Sequence, residues 1–169
     1  MSTQTEAVPV VRYDGGSLNI RHATLSDLNA IVALENEAFS QDRISRRSFA
    51  RLVGAPSAAV LVAVEGTLIA GCAVVLFRSY SRRCRLYSLA VAQAARGKGV
   101  GRALLAEMER AARERGCEAV SLEVRADNEP AVSLYRRDGY ELLGETKNYY
   151  SDGATALHFI KSLGQAVLR

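Results

Sequence analysis

Hydrophobic and polar residues follow one another along the chain in blocks of two different periodicities. Apolar runs such as 59–64 and 68–77 are rich in small and β-branched residues, which is typical of strands. Leu104, Leu105 and Met108 instead recur at helical spacing and indicate a helix with one buried side. In chain order, the blocks predict the elements β α α β β β α β α β β.

Capping and turn signals place the elements of the N-terminal half. Residues 18–21 predict a first strand. Thr24 and Asp27 form a capping-box pattern, which opens a helix that ends near Phe39. A second, short helix is predicted over 45–53, ahead of the two apolar runs. The first sixteen residues show no periodic pattern. We therefore expect a loose N-terminal segment, residues 1–16, and one folded domain over 17–169.

The C-terminal half contains a strand–helix–strand unit. Residues 85–91 and 119–124 flank a helix within about forty residues, which predicts two parallel strands joined by a crossover. Asn128 as N-cap and Gly139 as a C-terminal glycine bound a further helix. The last two β runs are residues 140–150 and 155–163. The whole pattern predicts an α/β fold with a mixed central sheet of about seven strands and about four flanking helices.

Composition narrows the class of protein. The chain is 49% hydrophobic and 24% charged, which is ordinary for a globular domain. No run approaches the ~20 apolar residues of a membrane span, and the start lacks a signal-peptide pattern. We therefore expect a cytoplasmic protein without a membrane partner. Cys72, Cys84 and Cys117 are widely spaced, so we expect buried free thiols and no metal site.

The positive charge is concentrated in arginine. Two clusters occur, one over 43–51 and one over 78–85, in a chain of formal net charge +4. Each cluster is either a solvated surface or a site for an acidic partner such as RNA or the ribosome. Each cluster contains a single aromatic residue, Phe49 or Tyr80, which is fewer than the repeated aromatic positions of a base-stacking surface, so we expect no direct nucleic-acid binding. The sequence fits a monomer and a homodimer alike.

Residues 96–101, Arg-Gly-Lys-Gly-Val-Gly, lie between a predicted strand and a predicted helix. Glycine lets a ligand approach the backbone, and the unpaired amides at a helix start suit phosphate. Arg96, Lys98 and Arg102 add positive charge. The glycine spacing matches neither the dinucleotide fingerprint nor a Walker A loop. The run predicts a phosphate-binding turn, with a plain glycine-rich turn as the alternative.

The order Arg-x-x-Gly-x-Gly resembles the coenzyme A pyrophosphate loop of the GNAT family of N-acetyltransferases. The chain is most similar to the RimI type, which acts on the N-terminus of a ribosomal protein. The matching motifs are 86–105, 122–128, 131–135, 139–140 and 148–150. This resemblance implies acetyl-CoA as cofactor and a sheet in which two neighbouring strands splay apart to admit its pantetheine arm.

The resemblance also implies which residues bind the cofactor. Backbone groups of Leu89, Ala90 and Val91 and the side chain of Asn128 lie along the pantetheine arm in such enzymes. The pyrophosphate is held by the residues of the loop, which are Arg96, Gly97, Lys98, Gly99, Val100, Gly101 and Arg102.

Glu123 and Tyr135 are the candidate catalytic residues. Glu123 alternates with Leu122 and Val124, so its side chain faces away from theirs. We interpret it as a general base for the amine acceptor; the alternative is a surface glutamate paired with Arg125 or Arg85. By resemblance, Tyr135 lies near the cofactor sulfur and protonates the leaving thiolate. The alternative is a core tyrosine.

Three further residues are candidates for the acceptor site by resemblance: Phe39, Tyr149 and Tyr150. For the two tyrosines, the alternative is an aromatic pair in a hairpin. The RimI type carries a Pro-Trp-Ser-like patch after its first helix, whereas residues 39–45 contain no tryptophan. The expected reaction is direct attack of a protein N-terminal amine on the thioester in a ternary complex. A small-molecule amine or a lysine side chain is the alternative acceptor. A non-catalytic acyl-CoA sensor or a ribosome- or RNA-docking module is the alternative of another class.

Overall fold

A computed structural model describes residues 10–13 and 16–164 of the chain. These residues form eight strands and four α-helices. The strands are Val10–Tyr13 (β1), Gly16–His22 (β2), Ala58–Glu65 (β3), Leu68–Leu76 (β4), Arg83–Val91 (β5), Ala119–Arg125 (β6), Glu141–Thr146 (β7) and Ala156–Ser162 (β8). The helices are Leu28–Ala38 (α1), Arg46–Leu52 (α2), Val100–Glu114 (α3) and Glu129–Arg137 (α4).

The strands form one mixed sheet in the order β1-β2-β3-β4-β5-β6-β8-β7. Strands β5 and β6 are parallel and are joined by α3, and the other neighbours are antiparallel. The predicted hairpin, crossover and four helices are therefore present. The prediction of an α/β fold with a mixed sheet is confirmed.

Strand β1 is an element that the sequence pattern did not predict. It lies within the segment expected to be loose and pairs with β2 from Val10↔Asn19 to Tyr13↔Gly16. A four-residue strand has too few positions to show a period-two pattern. Its pairing with β2 is what makes this segment a strand. For residues 10–13, and for Gly16 at the start of β2, the expectation of a loose segment was therefore wrong. The remainder of 1–15 lies outside the described residues.

Two apolar clusters occupy the two faces of the sheet. On one face, α3 buries Leu104, Leu105 and Met108 completely, and α4 adds Tyr135. On the other face, α1 and α2 cover strands β3 to β5 with residues such as Phe49. Each fully buried side chain of this size contributes roughly 1.5–3 kcal/mol. Burial on both faces therefore holds the central strands in place.

The second face of β6 and β8 is open. Along β6, the residues that face α3 are buried, whereas Ser121, Glu123 and Arg125 on the opposite side remain partly exposed. His158 and Ile160 on β8 are also partly exposed and lie beside this face. We call this surface the open face. It brings polar side chains of β6 and β8 to the solvent next to the helices α1 and α2.

Local signals act as the sequence predicted. Asp27 accepts a hydrogen bond from the Thr24 amide (2.8 Å) and a bidentate pair from Arg21 (2.7 and 3.0 Å). The hydrogen bonds from Arg21 are the main cause that lowers the pKa of Asp27 to about 2. Asn128 caps α4 by accepting from the Ala131 amide (3.3 Å). The predicted caps are therefore present: the Thr24–Asp27 capping box opens a 3-10 turn, Leu25–Asp27, that leads into α1, and Asn128 caps α4.

The three cysteines are free and buried, as predicted. Among the described residues, no helix is both long and apolar enough to cross a membrane.

Candidate active site

The ladder between β5 and β6 stops halfway along both strands. Its last pair is Leu86↔Leu122, although β5 continues to Val91 and β6 to Arg125. The register between β4 and β5 shifts at the same level, where Tyr87 is an extra residue. Such a bulge bends a strand and increases its twist, so β5 turns away from β6. The two strands therefore splay apart, and we call the space between them the gap.

Backbone groups line the β5 side of the gap. Leu89, Ala90 and Val91 pair with β4 on one edge, and within the described residues β6 offers them no ladder partner on the other. A free strand edge can hydrogen-bond an extended amide-bearing chain. The pantetheine arm of coenzyme A is such a chain, so the residues present fit the arm that the family resemblance implies.

The glycine-rich loop leads from the end of β5 into the start of α3. Gly97 (φ 75°) and Gly99 (φ 87°) take the left-handed conformation that glycine adopts without strain. The first helical hydrogen bond runs from the Ala103 amide to the Gly99 carbonyl (3.0 Å). The amides of Val100, Gly101 and Arg102 therefore precede the helical ladder and suit an anion.

Gly101 matters for packing rather than for conformation. A Cβ atom at this position would lie 3.2 Å from Leu134 Cδ2 and 3.6 Å from Val91 Cγ2. The absence of a side chain therefore lets the start of α3 approach α4 and the end of β5. This close approach brings the α3 amides to the gap.

The three cationic side chains around the loop have different partners. Arg96 donates to the Val91 carbonyl (3.3 Å), and Arg102 pairs with Asp138, the residue that follows α4 (3.3 Å). Lys98 is exposed and forms no ion pair within the described part of the chain. Within the described residues, no carboxylate therefore compensates the charge of Lys98 or of Arg96, and both charges are available to an anion at the loop.

Glu123 lies on the open face, at the first position of β6 beyond the ladder with β5. Its Oε2 atom accepts from Arg85 Nε (2.9 Å), and its Oε1 atom lies 3.8 Å from His158 Nδ1. Of the two partners that the sequence left open, Arg85 is the one observed. Arg125 pairs instead with Asp127 and Asp152. Glu123 remains partly exposed, so the pairing does not seal it from an incoming group.

His158 is a residue of this site that the sequence analysis did not identify. It is the direct partner of Glu123 in the β6–β8 ladder. Its Nε2 atom lies 2.7 Å from the Thr146 hydroxyl oxygen, and its ring meets Tyr149 edge-on at 6.0 Å. Only the strand register reveals the proximity of His158 to Glu123, because the two residues are far apart in the sequence.

Tyr135 lies on the opposite side of the sheet from Glu123. It is buried on α4, edge-on to Tyr140 (5.6 Å) and tilted against Phe159 (6.3 Å). Burial raises the pKa of its hydroxyl above the ordinary value. The hydroxyl forms no hydrogen bond within the described residues. Tyr135 therefore packs in the core, as its alternative interpretation expected, and its hydroxyl keeps its proton.

Glu35 is a second residue that the sequence analysis missed. Its buried carboxylate accepts from the Ile44 amide (2.9 Å) and lies 3.3 Å from the Ser88 hydroxyl. Burial is the main cause that raises its pKa. Since Ser88 lies on β5 beyond the ladder with β6, Glu35 ties the loop after α1 to the strand that borders the gap.

Two loops meet over the open face. One connects α1 and α2 (residues 39–45), and the other connects β7 and β8 (residues 147–155). The Ser151 hydroxyl lies 3.1 Å from both Gln41 Oε1 and Asp42 Oδ2. Arg125 of β6 binds Asp152 and so anchors the second loop (2.7 Å). We call this pair of loops the loop bridge.

The candidate acceptor residues lie on or beside the loop bridge. Phe39 ends α1 and packs into the second core cluster. Tyr149 and Tyr150 meet edge-on at 5.1 Å, so the aromatic pair is present. Arg85 reaches the Tyr149 hydroxyl (3.4 Å), whereas burial raises the pKa of Tyr150 to about 12. Tyr149 is therefore the one of the three that shares a direct partner with Glu123.

Comparison with known proteins identifies the protein family to which this chain belongs. A sequence model of the acetyltransferase (GNAT) family matches residues 26–140, which is more than half of the chain. The match spans the gap, the glycine-rich loop and Tyr135.

Curated relatives and solved structures agree with this match. The N-alpha-acetyltransferase RimI of Mycobacterium tuberculosis is 31% identical over 140 residues, covering 81% of this chain and 87% of that protein. Streptothricin acetyltransferase of Streptomyces lavendulae is 38% identical over 103 residues, 59% of this chain and 54% of that protein. The ribosomal-protein-S18-alanine N-acetyltransferase of Escherichia coli has a TM-score of 0.79 at 25% identity, covering 90% and 97% of the two chains.

The extent of the matches differs among the relatives. The chain spans about half the length of two curated relatives, streptothricin acetyltransferase and an uncharacterised Mycobacterium leprae protein that is 34% identical over 161 residues. It spans most of the RimI-type proteins. By the family match, this chain belongs to the GNAT family of acetyltransferases, and its relatives include the RimI type that its motifs predicted.

Proposed function

We propose that this chain is an acetyl-CoA-dependent N-acetyltransferase that acetylates a protein N-terminal α-amine by direct attack in a ternary complex. The observation that carries the proposal is the gap between β5 and β6, which opens beyond Leu86 and Leu122 and ends at the start of α3. Its backbone edge suits an amide-bearing arm, and the α3 amides suit a pyrophosphate.

Acetyl-CoA would supply an acetyl group that is activated as a thioester. Glu123 would remove a proton from the amine, directly or through a water molecule, as general base. An α-amino group with a pKa near 8 is already ~10% neutral at pH 7. A lysine side chain with a pKa near 10.4 costs about 4–5 kcal/mol to deprotonate there. A partly exposed carboxylate that is also paired with Arg85 is therefore better matched to an α-amine.

Tyr135 would donate the proton that the departing sulfur takes up. Because burial raises the pKa of its hydroxyl, Tyr135 keeps its proton throughout the neutral range. Burial also raises the pKa of a thiol, so a thiolate that forms beside Tyr135 is a stronger proton acceptor than it is in water. The absence of another hydrogen-bond partner among the described residues leaves this hydroxyl available.

The loop bridge places two loops beside the candidate base. The contacts of Ser151 with Gln41 and Asp42 join these loops near Glu123 and Tyr149. The RimI-type relatives, one named an N-alpha-acetyltransferase and one named for an alanine of a ribosomal protein, support a protein N-terminus as the acceptor.

A second acceptor class has its own support. One relative, 38% identical, is named for streptothricin and not for a protein. Residues 39–45 also lack the tryptophan of the RimI-type patch. A small-molecule amine is therefore the alternative acceptor of the same site.

The test is mass spectrometry of an acceptor panel incubated with the protein and acetyl-CoA. The panel contains peptides with free N-termini and blocked lysines, peptides with blocked N-termini and free lysines, and small-molecule amines including streptothricin. We expect acetylation of the free N-termini alone. Acetylation of lysines or of small amines alone would contradict the proposed acceptor. Cofactor binding without any transfer would contradict the enzymatic function.

A further inference from the structure

The two oxygen atoms of Glu123 have different neighbours. Arg85 Nε occupies Oε2 at 2.9 Å, whereas Oε1 faces His158 Nδ1 at 3.8 Å. A proton that arrives on Oε1 therefore has an imidazole beside it. The separation is longer than a hydrogen bond, and a side-chain rotation that shortens it to about 3 Å forms one.

The imidazole is held so that it can change its protonation state. In the neutral tautomer whose Nδ1 can take up a proton, Nε2–H donates to the Thr146 hydroxyl oxygen 2.7 Å away, and the charged ring keeps the same hydrogen bond. Tyr149 supports the ring edge-on from the loop between β7 and β8. His158 thus keeps its position whether or not Nδ1 and Nε2 both carry protons.

The electrostatic surroundings of His158 are simple. Strand β6 presents Glu123, β7 presents the non-titrating Thr146, and the loop between β7 and β8 presents Tyr149. Arg85 of β5 reaches Glu123 and Tyr149. The side chain of His158 is 30% exposed, so the ring also reaches solvent. The imidazole therefore connects the carboxylate to bulk water.

We propose that His158 is a positioning residue that acts through Glu123, taking up the proton that Glu123 removes from the amine and releasing it to solvent. This inference rests on the proposed function. An N–H bond of the ammonium breaks as an O–H bond forms at Oε1. That O–H bond breaks as Nδ1–H forms, and the imidazolium then loses one proton to water, which restores both groups.

The chemistry of the two groups suits a relay. An imidazole can accept a proton from a carboxylic acid at one nitrogen and pass it to water, which is why histidine commonly serves as a proton shuttle. Each turnover with an ammonium acceptor yields one proton, so an exit route next to the base speeds its recovery.

The test compares His158→Gln and His158→Ala with the wild-type protein, using the acceptor that the wild type acetylates. We expect kcat to fall about 10-fold to 100-fold, with the acceptor KM and the coenzyme A Kd unchanged. The dependence of kcat on pH should differ between the wild-type protein and His158→Gln. Added imidazole should restore part of kcat to His158→Ala and should not change the wild type.

Thr146→Val is the matched control, because it removes the hydrogen bond between residue 146 and the His158 ring but keeps the imidazole. We expect it to retain the wild-type pH profile. Two results would overturn this inference and leave the proposed function intact. One is a wild-type kcat in both His158 variants. The other is a loss of kcat that added imidazole does not rescue and that Thr146→Val also shows. A wild-type protein that acetylates no amine would overturn both the proposed function and this inference.

Discussion

Arg85 has two opposite effects on Glu123. It holds the carboxylate in place by a 2.9 Å contact, and it competes with any ammonium group for the same oxygen atom. The pair is partly exposed, so its contribution to folding is small, at most about 1 kcal/mol. Its value therefore lies in orienting Oε1 toward the amine and toward His158 rather than in stability.

Glu123→Gln tests the proposed base. The amide keeps the size and the hydrogen bond to Arg85 but cannot accept a proton, so we expect kcat to fall roughly 100-fold or more. The coenzyme A Kd should change little, because Glu123 lies on the face opposite Tyr135 and away from the loop. Steady-state kinetics and calorimetry measure the two quantities.

Ser121→Ala, two residues earlier on the same face of β6, is the control and should retain wild-type kcat. Unchanged turnover of Glu123→Gln from pH 6 to pH 9 would remove Glu123 from the mechanism.

Single residues were predictable where a local pattern or a motif names them. The strand alternation identified the exposed side of Glu123, and the capping pattern identified Asn128. His158 and Glu35 escaped prediction because their positions depend on contacts with remote segments. Glu35 reaches Ser88 only after α1 has docked on β5, and no local periodicity encodes that distance.

The elements with local signals were the predictable ones. Four helices begin and end close to their caps, and the hairpin of β3 and β4 follows its glycine turn. Strand β1 has neither a cap nor a periodic pattern, so only its pairing with β2 defines it. The start of α3 is one of the elements with a local signal, because the glycines before it set both where the helix begins and which amides are exposed.

Gly99→Ala tests the loop that leads into α3. Gly99 has φ 87°, and a Cβ atom added there would meet no atom within 4 Å. The substitution therefore adds backbone strain without a clash, about 1–2 kcal/mol. Relief of that strain turns the loop and moves the amides of α3. We expect the coenzyme A Kd, measured by calorimetry, to rise about tenfold. We also expect the free energy of unfolding, measured with denaturant, to fall by about the strain energy.

Gly54→Ala is the matched control for the loop variant. Gly54 has φ 78° and equally open surroundings, but it lies between α2 and β3. It should lose similar stability and bind coenzyme A like the wild type. Equal affinity in all three proteins would show that the loop conformation does not contribute to cofactor binding.

The gap is a property of the whole sheet. Residues 85–91 and 119–125 each have an ordinary strand pattern, and nothing in either marks the end of their ladder. The end coincides with the register shift at Tyr87 and is maintained because β4 and β8 hold the outer edges of the two strands. The family resemblance implied the splay, whereas the residue pattern alone did not.

A crystal structure of the protein with coenzyme A tests the central claim most directly. We predict that the pantetheine arm lies in the gap along residues 87–91 and that the pyrophosphate accepts from the amides of residues 97–102. The sulfur should lie within hydrogen-bond reach of the Tyr135 hydroxyl, ~3.5 Å. A ligand bound elsewhere, with the β5 edge free and the sulfur remote from Tyr135, would contradict the account.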